Sequence, residues 1–249
     1  MTDAATDELT RLDSAFSGNR LLATFTAEAR ALVEPFAELV ELDADDKVQQ
    51  RGRHVGETLF PFDTTMVSLS VKLSDGRSVE VASIGAEGAV GGIVSCGHAP
   101  AFGNAIVQVP GPALRLPMEA LEDAKKRSPF LGNLFCRYSD YLLAQVMQTV
   151  ACNTYHSIQQ RAARWLLTAQ DRAGDRIELT QEALAGLLGV QRTTVNAVVK
   201  SLQDEGLLTS RRGRILVDDR AGLKHVACEC HSIIERHFAA VIGAGGSGG

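Results

Sequence analysis

The stretch LTQEALAGLLGVQRTTVNAVVKSLQDEGLL, Leu179 to Leu208, places apolar residues at helical spacing on both sides of a Gly-Val break. Ala183, Leu184, Leu187 and Leu188 give a first short helix its buried face, with Thr180 as N-cap. Gly189 permits the tight turn, because positive φ costs glycine little. Val195, Val198, Val199 and Leu202 supply the buried face of a second helix. Helices joined this closely must cross, and the first fixes the angle at which the second projects. The outward side of the projecting helix carries Gln191, Arg192, Thr193, Thr194, Asn196 and Lys200. Such a helix fits the major groove of B-DNA, where its first residues reach base edges. Arginine can hold guanine and asparagine can hold adenine through two hydrogen bonds each, worth roughly 1–3 kcal/mol of discrimination. Thr180 and Gln181, opening the first helix, complete the set expected at DNA.

Directly after this pair, TSRRGRILV predicts a two-stranded wing with Arg211, Arg212 and Arg214 at its tip. Cations there meet phosphates, which add affinity without reading sequence. Charge agrees with this placement. From Ser157 onward the chain has 12 Lys and Arg against 10 Asp and Glu, while the rest has 13 against 20. The mildly basic part is the one with the helix pair.

Upstream the pattern changes. MVSLSVKLSDGRSVEVASIG alternates apolar and polar residues around Asp75-Gly76, a strong hairpin signal, and AIVQV reads as another strand. Short strands punctuated by glycine and proline predict a β-sandwich or small barrel over residues 19–118. Residues 1–18 read as an acidic extension, and Asn19 as the cap of a helix running toward Pro35. Periodicity then returns to 3.6, with a short helix over Glu119–Lys126 and Ser128-Pro129 opening a long one. In that helix Leu131, Phe135, Tyr138, Leu142, Gln145 and Thr149 step by four and three, the seam of a two-stranded coiled coil. Residues 119–156 are therefore assigned to dimerisation and 157–242 to DNA binding. The terminal residues 243–249 read as a flexible tail. The fold class is α+β.

Composition narrows the remaining classes. Hydrophobic residues make up 45% of the chain, enough for a sizeable core. The apolar runs are too short to span a membrane, and the acidic start is unlike a signal peptide. The five cysteines are an odd number, without the density of a disulfide scaffold. These features predict a cytoplasmic protein. No G-x-S-x-G elbow, P-loop or HExxH appears, so an enzyme is not expected.

The helix pair, its wing and the upstream β-rich region together resemble the Crp/Fnr family of bacterial transcription regulators. CNTYHSIQQRAARWLL and DRAGLKHVACEC resemble one subgroup of it. The resemblance implies a cyclic-nucleotide-binding-like jelly roll, a long dimer helix and a winged helix-turn-helix. It also implies a homodimer on palindromic double-stranded DNA, a base-reading position for Arg192, and RNA polymerase as a further partner.

The sensor region departs from the cyclic-nucleotide-binding members. Where their cassette has Gly-Glu this chain has Gly91-Gly92, and where they have Arg-Ser or Arg-Thr it has Gly103-Asn104. Without the arginine a buried phosphate would lack its counter-charge, so cyclic AMP is not expected to bind. A helix N-terminus near Glu87-Gly88-Ala89 remains as a place for an anion. No cofactor and no metal are expected. His225, Cys228, Cys230, His231 and His237 are rich in soft donors, but on one continuous helix residues 228 and 230 lie about 200° apart. Cys152 and His156 share a helical face, yet make only two ligands. The alternative is a redox, metal or haem sensor of the same family, with haem on His54 or His98. A regulator that needs no ligand is the other course.

Overall fold

The structure, a computed structural model, describes residues 2–93 and 100–243; Cys96, His98 and the tail from residue 244 lie outside them. Seven strands build the N-terminal sandwich. One sheet has the order β1 (Glu38–Leu42), β7 (Gly111–Pro117), β3 (Glu57–Pro61), and the other β2 (Lys47–Gln49), β6 (Asn104–Val109), β4 (Met66–Lys72), β5 (Ser78–Ile84). Neighbouring strands in both sheets are antiparallel. Buried residues meet between the sheets, where Leu42, Leu59 and Ala113 pack with Val67, Ile84 and Val107. The Asp75-Gly76 turn joins β4 to β5 as its sequence predicts, with Gly76 at φ +90°.

The N-terminal segment is more ordered than an acidic extension. Residues Thr2–Gly18 form helix α1, whose end buries Ala15 and Phe16 against the sandwich side. Asn19 caps no long helix. Its Oδ1 accepts from the Leu21 and Leu22 amides, while its Nδ2 donates to Pro61 and Gly88 carbonyls. It therefore pins the chain to the end of β3 and to the loop at Gly88 before the short helix α2 (Ala27–Val33) begins.

Helix α3 (Met118–Arg127) leads to α4 (Pro129–Tyr155), which Ser128 caps by accepting from the Leu131 amide, with Pro129 following. The side of α4 expected to meet a partner instead meets its own chain. Leu131, Phe135, Tyr138 and Gln145 are buried in the monomer, Leu142 borders a cleft of the sandwich, and Thr149 is half-buried. The Tyr138 hydroxyl accepts from the Ala89 amide at 2.7 Å and donates to the Ala89 carbonyl at 3.0 Å. Exposed positions lie on the far side, at Cys136, Asp140, Leu143, Met147, Val150 and Thr154. They keep the same four-three step two residues out of register, about 200° round the helix.

Helix α5 (Ile158–Ala173) opens with a full capping box between Ser157 and Gln160. Helices α6 (Gln181–Leu188) and α7 (Arg192–Asp204) follow, then a three-stranded sheet in which β10 (Arg214–Val217) lies between β8 (Arg176–Ile177) and β9 (Leu208–Arg211). The chain ends in α8 (Arg220–Val226) and α9 (Cys230–Val241). These two are not one continuous helix. Ala227 is extended, at φ −65° and ψ 152°, so the angular argument that separated Cys228 from Cys230 does not hold. Helix α9 returns along α4, with the Phe238 ring 5.1 Å from that of Tyr141.

The C-terminal core continues into the sandwich. Met66 and Val109 pack with Trp165, Leu166 and Leu188, and Val79 of β5 abuts Gly189. Buried Glu80 of β5 accepts from Trp165 Nε1 at 3.1 Å and from the Ser68 hydroxyl, and its burial pushes its carboxyl above the ordinary range. Largely buried Arg172 of α5 pairs with Glu87 in the loop after β5. No helix among the described residues is long and apolar enough to cross a membrane.

Candidate nucleic-acid interface

The local chemistry of the helix pair follows its sequence. Thr180 accepts from the Ala183 amide at 3.0 Å and caps α6. Gly189 takes φ +67° and ψ 34°, a left-handed corner that ends α6 and turns the chain. Leu184, Leu187 and Leu188 of α6 pack with Val195, Val199 and Leu202 of α7 into one core. Val198 is half-buried against it. The packing leaves Gln191, Arg192, Thr193, Thr194, Asn196 and Lys200 exposed on α7. Gln191 is the N-cap residue yet makes no side-chain capping bond.

Two of the expected contacts are already engaged. Gln181 Nε2 donates to Ser210 Oγ at 3.1 Å and ties α6 to the wing. Arg192 lies 3.1 Å from Glu182, both side chains largely exposed. An ion pair so open to water is worth little, and a guanine could displace it. Nothing in the sequence pattern singled out Glu182.

On the wing, Arg211 and Arg212 are exposed, and Gly213 at φ +80° makes the turn. Arg214 lies just behind on β10, where its Nε donates to Glu178 at 2.9 Å. Hydrogen bonds from Arg176 and then Arg214 hold the Glu178 carboxyl below its ordinary range. The wing thus presents two outward arginines and a third that also braces the sheet.

The cleft of the sandwich has a different chemistry. It encloses about 350 Å³ between Gln49, Leu69, Ile84, Val90, Phe102 and Leu142, and no charged residue among the described ones lines it. Gly91 has φ +101°, and a Cβ there would lie 2.3 Å from the Glu57 carbonyl oxygen. A Cβ on Gly103 would lie 2.7 Å from the Ser70 carbonyl oxygen. Asn104 Oδ1 is occupied by the Arg51 amide at 3.0 Å. The expected helix N-terminus at Glu87-Gly88-Ala89 is absent: the segment is a turn, and Tyr138 takes the Ala89 amide. His54 is an exposed loop residue.

A sandwich joined by a long helix to a winged helix-turn-helix defines a DNA-binding transcription regulator. Residues 160–226 match the Crp-like helix-turn-helix domain. The fold of the chain is similar to that of FixK2 from Bradyrhizobium japonicum, at 17% identity and a TM-score of 0.65, covering 77% of this chain and 98% of that one. The c-di-GMP-responsive global regulator CLP of Xanthomonas campestris is similar at 15% identity, TM-score 0.63, covering 78% and 100%. TTHA1359, a CRP/FNR-family regulator of Thermus thermophilus, is similar at 20% identity, TM-score 0.61, covering 76% and 98%. No curated protein matches the sequence.

Proposed function

We propose that the chain is a cytoplasmic homodimer that reads palindromic double-stranded DNA through α7 and passes a signal from the sandwich to that helix. The observation that carries this reading is the set of exposed polar side chains Gln191, Arg192, Thr193, Thr194 and Asn196 at the start of α7, in the same domain as the exposed Arg211 and Arg212 of the wing. One domain would then supply both base readers and phosphate contacts. Leu143, Met147 and Val150 support dimerisation: they are 56%, 64% and 62% exposed, at heptad spacing, on the side of α4 that its own core leaves uncovered. RNA polymerase is the partner such a regulator would meet at its promoters.

An effector in the cleft would touch Ala89 and Val90, and through them both halves of the molecule. Ala89 holds α4 through Tyr138, and Glu87, two residues earlier, holds α5 through Arg172. The lining, uncharged among the described residues, favours an uncharged ligand over cyclic AMP, whose phosphate would lack a counter-charge there. Selection of bound sequences from a random DNA pool tests the reading. The expected product is a palindrome with half-sites about one helical turn, roughly 34 Å, apart. Enrichment of a single unrepeated site refutes the dimer, and no enrichment refutes sequence reading by α7.

A further inference from the structure

We propose that Cys152, His156, Cys228 and Cys230 form a tetrahedral zinc site that ties the end of the long helix to the C-terminal helix pair. Cys152 lies in the last turn of α4, and His156 is the C-cap residue of that helix. Cys228 falls in the break before α9, and Cys230 is the first residue of α9. The helix break brings the two cysteines to one place. One ligand atom from each of the four residues lies within 4.8 Å of every other.

The spacing within the group fits a zinc polyhedron. Cys152 Sγ and Cys228 Sγ are 3.6 Å apart, and Cys230 Sγ and His156 Nδ1 are 3.4 Å apart. Zinc at its usual distances to sulfur and nitrogen gives tetrahedral edges of about 3.8 and 3.5 Å. The other reading, three ordinary buried thiols, predicts sulfurs scattered through an apolar core. Here they form a buried cluster of their own, apart from the larger cores. Three thiolates and one imidazole select zinc over the hard cations.

The surroundings supply what such a site needs. His156 Nε2, the nitrogen turned away from the cluster, lies 3.4 Å from Glu229 Oε2, close enough for the carboxylate to orient the ring. Gln148 Nε2 donates to Cys230 Sγ at 3.0 Å. Three thiolates around a divalent ion leave one net negative charge, and the charges of Arg161 and Arg164 are close enough to act on Cys152. Both arginines are held with a buried Nε that has no hydrogen-bond partner among the described residues. Arg161 also donates from Nη2 to the Leu188 carbonyl at 2.5 Å, at the end of α6. Bound zinc would therefore fix the α4–α5 joint and, through Arg161, the base of the helix-turn-helix.

The test is elemental analysis of the full chain, made without a histidine tag, in zinc-supplied cells and under a thiol reductant. About one zinc per chain is expected. Cys152→Ser and Cys230→Ser should lose it, whereas Cys136→Ser, at the exposed cysteine on α4, should keep it. Should the ligand variants fail to fold, Glu229→Gln removes only the exposed partner of His156 and should weaken zinc binding about 10- to 100-fold. Cobalt added to chelator-treated wild type should give the visible bands of a tetrahedral thiolate site. A folded chain with no zinc and no cobalt spectrum overturns the site. So does a Cys152–Cys228 disulfide in protein kept reduced, or iron with sulfide in place of zinc.

Discussion

In the proposed reading, Arg192 exchanges a partner in its own chain for DNA. It stands at the first position of α7, exposed, with Glu182 as its resting partner. Releasing it costs little, because both charges are already in water. Facing guanine, its two donors are worth roughly 1–3 kcal/mol. Arg192→Ala should therefore cut the preference for operator over scrambled DNA by roughly 5- to 150-fold while leaving non-specific binding in place. Competition binding measures both. Wild-type discrimination in the variant would remove Arg192 from the reading set. At this scale the sequence is informative: Thr180, Gly189 and Ser128 cap or turn as their types require, because those bonds are local. The Glu182 pairing joins the two helices and left no local mark.

Helix α4 marks where element-level reading works and where it stops. Its start, length and four-three apolar step are all visible in the residue pattern. Which stripe faces outward is not, because both sides are apolar, one with Phe135 and Tyr138, the other with Leu143 and Met147. The sandwich claims the aromatic side, since Tyr138 can satisfy its hydroxyl on Ala89 and Phe135 packs edge-on to Phe25 and Phe60. That depends on strands distant in sequence. Similarly, the break at Ala227 could not be read from the donor-rich run around it. Met147→Glu discriminates between the two stripes. The side chain is 64% exposed in the monomer, so monomer stability should change within about 0.5 kcal/mol. A charge in the middle of the outward seam should nevertheless split the dimer. Sedimentation should give a monomer with a wild-type far-UV spectrum; a persistent dimer would move the interface elsewhere.

In the whole molecule, the sandwich and the helix-turn-helix domain are held by polar groups taken out of water. Trp165 bonds buried Glu80, and Arg172 reaches from α5 to Glu87, with the two side chains 10% and 7% exposed. Arg172 also donates to Ser83 at 3.2 Å, and Glu87 accepts from the Gly85 amide, so the loop and the helix are braced together. A buried pair need not stabilise more than well-packed apolar groups would, but losing one partner strands a charge, at about 3–5 kcal/mol. Arg172→Met and Glu87→Gln should each destabilise the full chain strongly. The double variant should lose less than the two effects added, since neither charge is then left alone. Chemical denaturation of all four forms measures the coupling. The same cycle repeated on the operator complex shows whether DNA binding needs this docked arrangement or releases it. Single variants within about 1 kcal/mol of wild type would mean that the pair is open to water and the domains do not dock this way.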